Sequence, residues 1–318
     1  MKNALIILAA ILAAVAALAA GYVYMASKGE PADAIEAKYM GPHDRFVEVS
    51  GARVRVREEG PADAPPLLLL HGFTYSLETW DGWAAVLKDD YRVIRYDLLG
   101  HGLTGPDPKE RYAPEERGAF IGDVMDALNI PSAVIAGNSL GGLAAWRFAS
   151  DNPGRVDALI LVSPGAYPYN GVSDIPAEIP AAMKAYLLTA PDAGVRASAA
   201  LVYGDDTKIT DERVETLRDM LRREGNGPAM IRSLEKFTLP DPADALARIA
   251  APTLIEWGED DIIIPIEQGR RLVDDIDGAR LITYPGVGHA AQEEAPAETV
   301  ADAMAFLAAL DKAEDNQE

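Results

Sequence analysis

The stretch AGNSLGG, residues 136–142, holds one serine between two glycines, where an apolar run meets a helical pattern. Serine is a common N-cap residue, so Ser139 by itself fits a helix cap as well as a nucleophile. Between a strand and a helix, however, flanking glycines let the backbone turn sharply and expose the serine hydroxyl at the edge of a sheet. The choice therefore depends on whether the chain also supplies a base and an acid.

Short apolar runs alternate with helical patterns on both sides of this stretch. Residues 46–49 and 54–56 alternate with a period of two and predict an antiparallel pair. Six later runs are apolar over most of their length, as strands buried on both faces are: 67–70, 92–96, 133–136, 158–162, 253–257 and 280–284. We predict an α/β fold over residues 45–310, a mostly parallel sheet with helices on both faces, before an acidic tail at 311–318.

One interval, from about 167 to 247, lacks a buried strand. Prolines separate short segments there, and residues 211–224 and 228–237 have helical patterns. We predict a helical cap over the carboxyl ends of the strands, where open α/β sheets bind ligands. Aromatic and methionine side chains of the cap are candidates for an apolar pocket or for simple core: Tyr186, Tyr203, Met220, Met230 and Phe237.

The N-terminal residues 4–26 are uncharged and long enough to cross a bilayer as a helix. We predict a membrane anchor within residues 1–28, with the rest of the chain outside the cytoplasm, which is the periplasm if the protein is bacterial. A cleaved signal peptide is the alternative, since Ala17-Leu18-Ala19 fits a small-residue cleavage site and would give a secreted or periplasmic protein. Residues 29–44 mix Gly, Pro and charges and are predicted to be a linker.

Composition excludes several classes of function. Asp and Glu number 50 against 29 Lys and Arg, and a net charge of −21 argues against nucleic-acid binding. The absence of cysteine excludes disulfides, thiolate nucleophiles and thiolate metal sites. We predict no metal and no cofactor, and the sequence leaves the oligomeric state open.

A base for Ser139 must come from one of four histidines, His43, His71, His101 and His289. Only His289, in the segment GVGH at 286–289, follows the last predicted strand after a glycine-rich turn, so its imidazole can reach inward. His71 and His101 are expected to hydrogen-bond loops around the site. An acid is expected between serine and histidine, and three carboxylates follow the penultimate strand, Glu259, Asp260 and Asp261.

Five motifs in order make this sequence resemble the α/β-hydrolase superfamily over most of residues 45–310. They are His71-Gly72-Phe73, DLLGHG at 97–102, GNSLG at 137–141, Gly-x-x-Asp-x-x-x-Pro at 258–265 and Gly288-His289. The resemblance implies that Asp261, four residues before Pro265, is the acid. It also implies an oxyanion hole made by the backbone N–H groups of Phe73 and Leu140.

These residues predict a serine hydrolase that cleaves a carboxylic ester or lipid through an acyl-enzyme. The alternative is a carbon–carbon bond hydrolase of aromatic ring-fission products, whose elbow also commonly has Asn before the serine, as Asn138 stands here. The resemblance implies for such enzymes a glycine-rich stretch after His-Gly and Trp after the histidine, whereas this chain has Phe73-Thr74-Tyr75 and Ala290. A non-catalytic, tethered binding protein with the same fold is a third possibility.

Overall fold

The computed structural model describes residues 13, 14, 17, 18, 21 and 28–315. The predicted anchor over residues 4–26 therefore lies almost wholly outside the described residues. Among those that are described, no helix combines the length and the apolar character needed to cross a membrane. The prediction of a membrane-anchored location outside the cytoplasm is therefore wrong, since no described helix supports an anchor.

Eight strands form one sheet in the order β1-β2-β4-β3-β5-β6-β7-β8 within the described chain. The strands are β1 (Asp44–Val49), β2 (Ala52–Glu59), β3 (Pro66–Leu70), β4 (Arg92–Tyr96), β5 (Ala133–Asn138), β6 (Val156–Val162), β7 (Thr253–Gly258) and β8 (Arg280–Tyr284). The first two strands pair antiparallel, and β2 is antiparallel to β4. All other neighbours are parallel, which confirms the predicted mostly parallel α/β sheet.

Helices cover both faces of the sheet and fill the interval between β6 and β7. The described α-helices are α1 (Ala32–Tyr39), α2 (Asp81–Leu87), α3 (Pro114–Ala127), α4 (Leu140–Asp151), α5 (Ala181–Thr189), α6 (Asp192–Val202), α7 (Asp211–Arg222), α8 (Asn226–Glu235), α9 (Ala243–Leu246), α10 (Glu267–Asp275), α11 (Ala291–Glu294) and α12 (Pro296–Asp315). The insertion between β6 and β7, α5 to α9, contains the helices of the predicted cap.

The continuous leucine run of β3 follows from burial on both faces. Side chains of a strand alternate between its two faces. Leu68 and Leu70 pack in the core cluster that contains α3 and α4, while Leu67 and Leu69 pack in the cluster that contains α2 and α12. Because neither face meets water, no polar residue interrupts the run.

The cap has an apolar core of its own and is joined to the N-terminal segment. Leu187, Val195, Leu217 and Met230 belong to one buried cluster, which also includes Tyr75 from outside the cap. Residues 29–44, predicted to be a linker, include helix α1, which lies against α7.

Contacts between α1 and the cap explain why the charged N-terminal segment is ordered. Lys38 Nζ and the Tyr39 hydroxyl both donate to Asp219 Oδ2, at 2.6 and 2.9 Å. Ile35 is buried beside Met220. The charges in this segment therefore pair with a cap helix instead of marking a solvated spacer.

Candidate active site

Ser139 lies at a sharp turn between β5 and α4. Its backbone has φ 53° and ψ −112°, a strained conformation for a residue with a side chain. A Cβ on Gly141 would lie 2.4 Å from the Leu70 carbonyl oxygen, and one on Gly137 would lie 2.5 Å from the Gly141 carbonyl oxygen. The flanking glycines are therefore required for the close approach of strand and helix.

The structure shows whether the Ser139 side chain caps helix α4. Ser139 occupies the N-cap position of α4, yet in this fully described part of the chain its side chain makes no capping hydrogen bond. A serine used only as a cap would accept a bond from the first helical turn. Ser139 instead lines a cavity.

Asp261 and His289 are joined by a hydrogen bond. His289 Nδ1 lies 2.8 Å from Asp261 Oδ2, and both residues are buried. The other carboxylate oxygen, Oδ1, accepts the backbone N–H groups of Ile263 and Ile264, each at 2.9 Å. These two bonds fix the carboxylate plane, so that Oδ2 is left to face the imidazole.

Asn138 holds the backbone of the histidine loop against the elbow. Its side-chain Nδ2 donates to the His289 carbonyl oxygen at 3.0 Å and to the Val162 carbonyl oxygen at 3.1 Å. The residue before Ser139 thereby ties the turn to the segment that carries His289. From the sequence, Asn138 entered only a comparison of families, and this contact was missed because no local pattern reveals it.

Ser139, His289, Phe73 and Leu140 line one cavity of about 290 Å³. Within the described chain no hydrogen bond joins the Ser139 hydroxyl to the His289 ring. Hydrogen bonds of this kind are often long or poorly aligned before substrate binds and tighten in the complex. The structure thus brings four predicted site residues to one wall and joins the fifth, Asp261, to His289.

Leu140, and the loop that carries Phe73, lie close to Ser139, and their backbone amides are the ones predicted for an oxyanion hole. Leu140 is the first residue of α4, and the first N–H groups of a helix have no acceptor within it. A Cβ on Gly72, the residue before Phe73, would lie 3.2 Å from Ser139 Cβ. A helix N-terminus favours negative charge, so this corner can stabilise a developing oxyanion.

Two buried histidines support the loop that carries Phe73. His71 lies with Nδ1 2.8 Å from the Gly72 carbonyl oxygen, and its Nε2 accepts the Leu98 N–H at 2.9 Å. Burial lowers the pKa of His71, in keeping with a neutral ring that donates once and accepts once. His101 packs edge-on against the Phe73 ring, with centroids 5.4 Å apart, and burial lowers its pKa well below the usual value.

The cavity wall is mostly apolar. None of the side chains that line it in the described chain is Lys, Arg, Asp or Glu. The cap contributes seven apolar or aromatic lining residues, Tyr169, Met183, Tyr186, Leu201, Val202, Leu234 and Phe237. Of the five cap residues considered from sequence, Tyr186 and Phe237 line the cavity, whereas Tyr203, Met220 and Met230 are not among its lining residues and are buried in the core.

Arg117 lies behind this wall. It is fully buried, and its three hydrogen bonds all go to neutral oxygens: the Tyr112 and Leu99 carbonyls, each at 3.1 Å, and Ser233 Oγ at 2.9 Å. Burial lowers the pKa of Arg117 to about 10. Ser233 lines the cavity, so a cation lies one hydroxyl group away from it. In the described chain we find no group of His, Asp and Glu side chains that could hold a metal ion.

Comparison with known proteins places these features in a family. The family model for the alpha/beta hydrolase fold matches residues 65–296. The chain is 31% identical to a 2-hydroxy-6-oxononadienedioate/2-hydroxy-6-oxononatrienedioate hydrolase of Cupriavidus pinatubonensis, over 79% of this chain and 90% of that protein. It is 28% identical to a 2-hydroxy-6-oxo-6-phenylhexa-2,4-dienoate hydrolase of Burkholderia cepacia, over 77% of this chain and 88% of the relative.

Solved structures agree on the fold. The crystal structure of a hydrolase from Pseudomonas aeruginosa PA01 superposes with a TM-score of 0.70 at 28% identity, and covers 84% of this chain and 99% of its own. The two curated relatives favour the carbon–carbon hydrolase alternative over the predicted ester hydrolase. With the elbow, the parallel sheet and the family match in agreement, the chain belongs to the alpha/beta hydrolase fold family.

Proposed function

We propose that this chain is a serine hydrolase that transfers the acyl group of an uncharged, apolar ester to water. The observation that carries the proposal is the cavity: Ser139 and His289 lie on a wall with no Lys, Arg, Asp or Glu side chain. Burying a charged group without a partner costs several kcal/mol. A neutral acyl group therefore suits this wall better than an ionised one.

The proposed mechanism uses the five predicted site residues. The Ser139 hydroxyl oxygen attacks the substrate carbonyl carbon while His289 Nε2 takes its proton. Asp261 orients the imidazole through Nδ1 and stabilises its charged form. The N–H groups of Phe73 and Leu140 donate to the carbonyl oxygen as it becomes negative, and each such donor contributes about 3 to 4 kcal/mol to barrier lowering.

The remaining steps return the enzyme to its starting state. The charged His289 gives its proton to the departing alcohol, which leaves an ester between the acyl group and Ser139. Water then attacks this acyl-enzyme while His289 takes a proton from it. Collapse of the second tetrahedral intermediate releases the carboxylic acid and returns the proton to Ser139.

Hydrolysis of a carbon–carbon bond is the second candidate, and two observations favour it. The curated relatives named above act, by their names, on a dienedioate or trienedioate and on a dienoate, all of which carry at least one carboxylate. Arg117 is a buried cation whose partners are all neutral, and it reaches the cavity wall through Ser233. A substrate carboxylate at that wall would gain a charged partner, which the apolar wall elsewhere does not provide.

Two substrates separate the candidates. The full chain and its Ser139→Ala variant are assayed with p-nitrophenyl butyrate and with 2-hydroxy-6-oxo-6-phenylhexa-2,4-dienoate. We expect Ser139-dependent ester hydrolysis with a kcat/KM at least about 100-fold above that for the dienoate, a difference of about 3 kcal/mol in barrier. Turnover of the dienoate alone would establish the second candidate instead.

A fluorophosphonate probe tests the chemistry common to both. We expect it to label Ser139 in the wild-type chain and to leave the Ser139→Ala variant unlabelled. Folded protein that neither reacts with the probe nor turns over either substrate would refute both reactions and favour a binding protein of the same fold.

A further inference from the structure

The loop that carries His289 packs backbone to backbone against cap residues 202–205. The His289 N–H donates to the Val202 carbonyl oxygen at 2.6 Å. A Cβ on Gly288 would lie 2.3 Å from that same oxygen, and one on Gly204 would lie 2.7 Å from the Gly286 carbonyl oxygen. No side chain fits between the two segments, so glycines allow their contact.

One carboxylate, that of Glu294, accepts N–H groups from both segments. Its Oε2 accepts the Gly288 N–H at 2.7 Å and the Gly204 N–H at 3.0 Å, and its Oε1 accepts the Asp205 N–H at 2.8 Å. The carboxylate side chain is fully buried, and Lys208 Nζ lies 3.9 Å from Oε1. Backbone donors to an ionised acceptor make stronger bonds than neutral pairs do. Glu294 therefore fastens the histidine loop to the cap.

The fastened cap segment continues directly into the cavity wall. Leu201 and Val202 line the cavity immediately before the Gly204 amide. A displacement of this wall reaches His289 by two routes, the bond from its own N–H to Val202 and the shared Glu294 carboxylate. The part of the cavity lined by Leu201 and Val202, where an acyl group could bind, is thus linked to the backbone of His289.

The neighbouring carboxylate, Glu293, has a different set of partners. It accepts the Tyr203 hydroxyl at 2.6 Å, it binds the Arg213 guanidinium, and Thr79 Oγ1 donates to it at 2.5 Å. These contacts join the cap to the rest of the chain without involving residues 286–289. Of these two carboxylates, Glu294 is the one that binds both the cap and the histidine loop.

We propose that Glu294 is a positioning residue for His289. Through its bonds to both segments, Glu294 couples the cap residues that line the cavity, Leu201 and Val202, to the orientation of the His289 imidazole. This inference rests on the proposed function. Glu294 acts through the backbone of the loop and takes no part in bond making. Its removal should therefore slow the reaction at each intact site, whereas a purely structural role would reduce the number of intact sites.

The test compares the wild-type full chain with Glu294→Gln. Glutamine keeps the shape but removes the charge and turns an NH2 group toward backbone donors. Titration with a fluorophosphonate counts the reactive sites, and kcat and KM for p-nitrophenyl butyrate are then expressed per titrated site. We expect kcat to fall about 10- to 100-fold, the range that follows from a small misplacement of a catalytic group, with KM changed by less than about threefold.

Glu298→Gln is the matched control, because it removes the same charge from an exposed position four residues further along. We expect it to keep kcat within about twofold of the wild type. If Glu294→Gln does not fold, Glu294→Asp takes its place, since a carboxylate one methylene shorter cannot reach both segments.

A kcat per titrated site within about threefold of the wild type, in whichever Glu294 variant folds, would overturn the inference and leave the proposed function intact. An equal loss of kcat in Glu298→Gln would overturn it too. A wild-type chain that neither reacts with the fluorophosphonate nor hydrolyses the ester would overturn the proposed function, and the inference with it.

Discussion

Replacing Asp261 by asparagine tests the proposed chemistry, because the structure determines which way the new amide would face. Two backbone N–H groups, from Ile263 and Ile264, bind Oδ1 at 2.9 Å each. In the variant the amide oxygen must remain on these donors, since an NH2 group there would leave both unpaired in a buried site. The NH2 group then faces His289 Nδ1, which becomes an acceptor, and the ring proton moves to Nε2.

A proton on Nε2 removes the base that Ser139 needs. In serine proteases with the same three groups this substitution lowers kcat by about 10⁴, which corresponds to about 5.5 kcal/mol in barrier height. We expect a loss of similar size here. Folding stability should change by about 1 kcal/mol or less, because the side-chain volume and both backbone hydrogen bonds are kept.

The assay is kcat for p-nitrophenyl butyrate together with the midpoint of thermal unfolding. Asp260→Asn and Glu259→Gln are matched controls, because both residues are exposed and adjacent. We expect each control to keep kcat within about threefold of the wild type. A loss below about tenfold in Asp261→Asn, or an equal loss in Asp260→Asn, would refute the argument from the bound carboxylate plane.

Burial raises the pKa of Glu256 well above its usual 4.5, so the folded state binds more protons than the unfolded state above that pH, and stability falls as pH rises. Glu256→Gln should remove this fall in urea unfolding at pH 5 and pH 8, and an unchanged pH dependence would contradict the argument. Gly141→Ala should lower the free energy of unfolding by more than about 3 kcal/mol, because its Cβ would lie 2.4 Å from a carbonyl oxygen. Gly154→Ala is the control, since a Cβ there would have nothing within 4 Å, and its free energy of unfolding in the same urea titration should stay within about 0.5 kcal/mol of the wild type. Arg117→Met should change kcat/KM for p-nitrophenyl butyrate by less than about threefold per titrated site, whereas a tenfold loss would indicate that this cation helps to bind substrate.

The strands could be predicted because burial leaves a local mark on the sequence. Each parallel strand is covered on both faces, so runs such as 67–70 are apolar throughout and stand out from their surroundings. Helix α1 left no such mark. Its charged residues find partners on α7, and Lys38 and Asp219 are separated by 181 positions, so no window of sequence contains both.

The residues of the candidate site could be predicted from their order along the chain, but the contacts between them could not be predicted from the sequence. The sequence alone left three adjacent carboxylates open, and the family resemblance selected Asp261. The structure adds the physical reason for its orientation, two backbone N–H groups that hold one oxygen and turn the other toward His289. Contacts through Glu294 and Asn138 depend on backbone groups, which carry no residue signature.

The substrates of the two candidate reactions differ in charge, because a dienoate carries a carboxylate and an apolar ester does not. An ester with an apolar chain needs nothing from Arg117, each of whose three side-chain nitrogens donates to a neutral oxygen of the protein. A dienoate carries a carboxylate that must be stabilised inside a cavity whose own wall has no cationic side chain. Because Arg117 donates to Ser233 Oγ and Ser233 lines the cavity, a carboxylate bound at Ser233 would lie next to a residue that is already hydrogen-bonded to this cation. The ester proposal therefore needs no charged partner in the cavity, while the carbon–carbon hydrolase needs polar groups for its substrate carboxylate, and among the lining residues Ser233 is hydrogen-bonded to a buried cation.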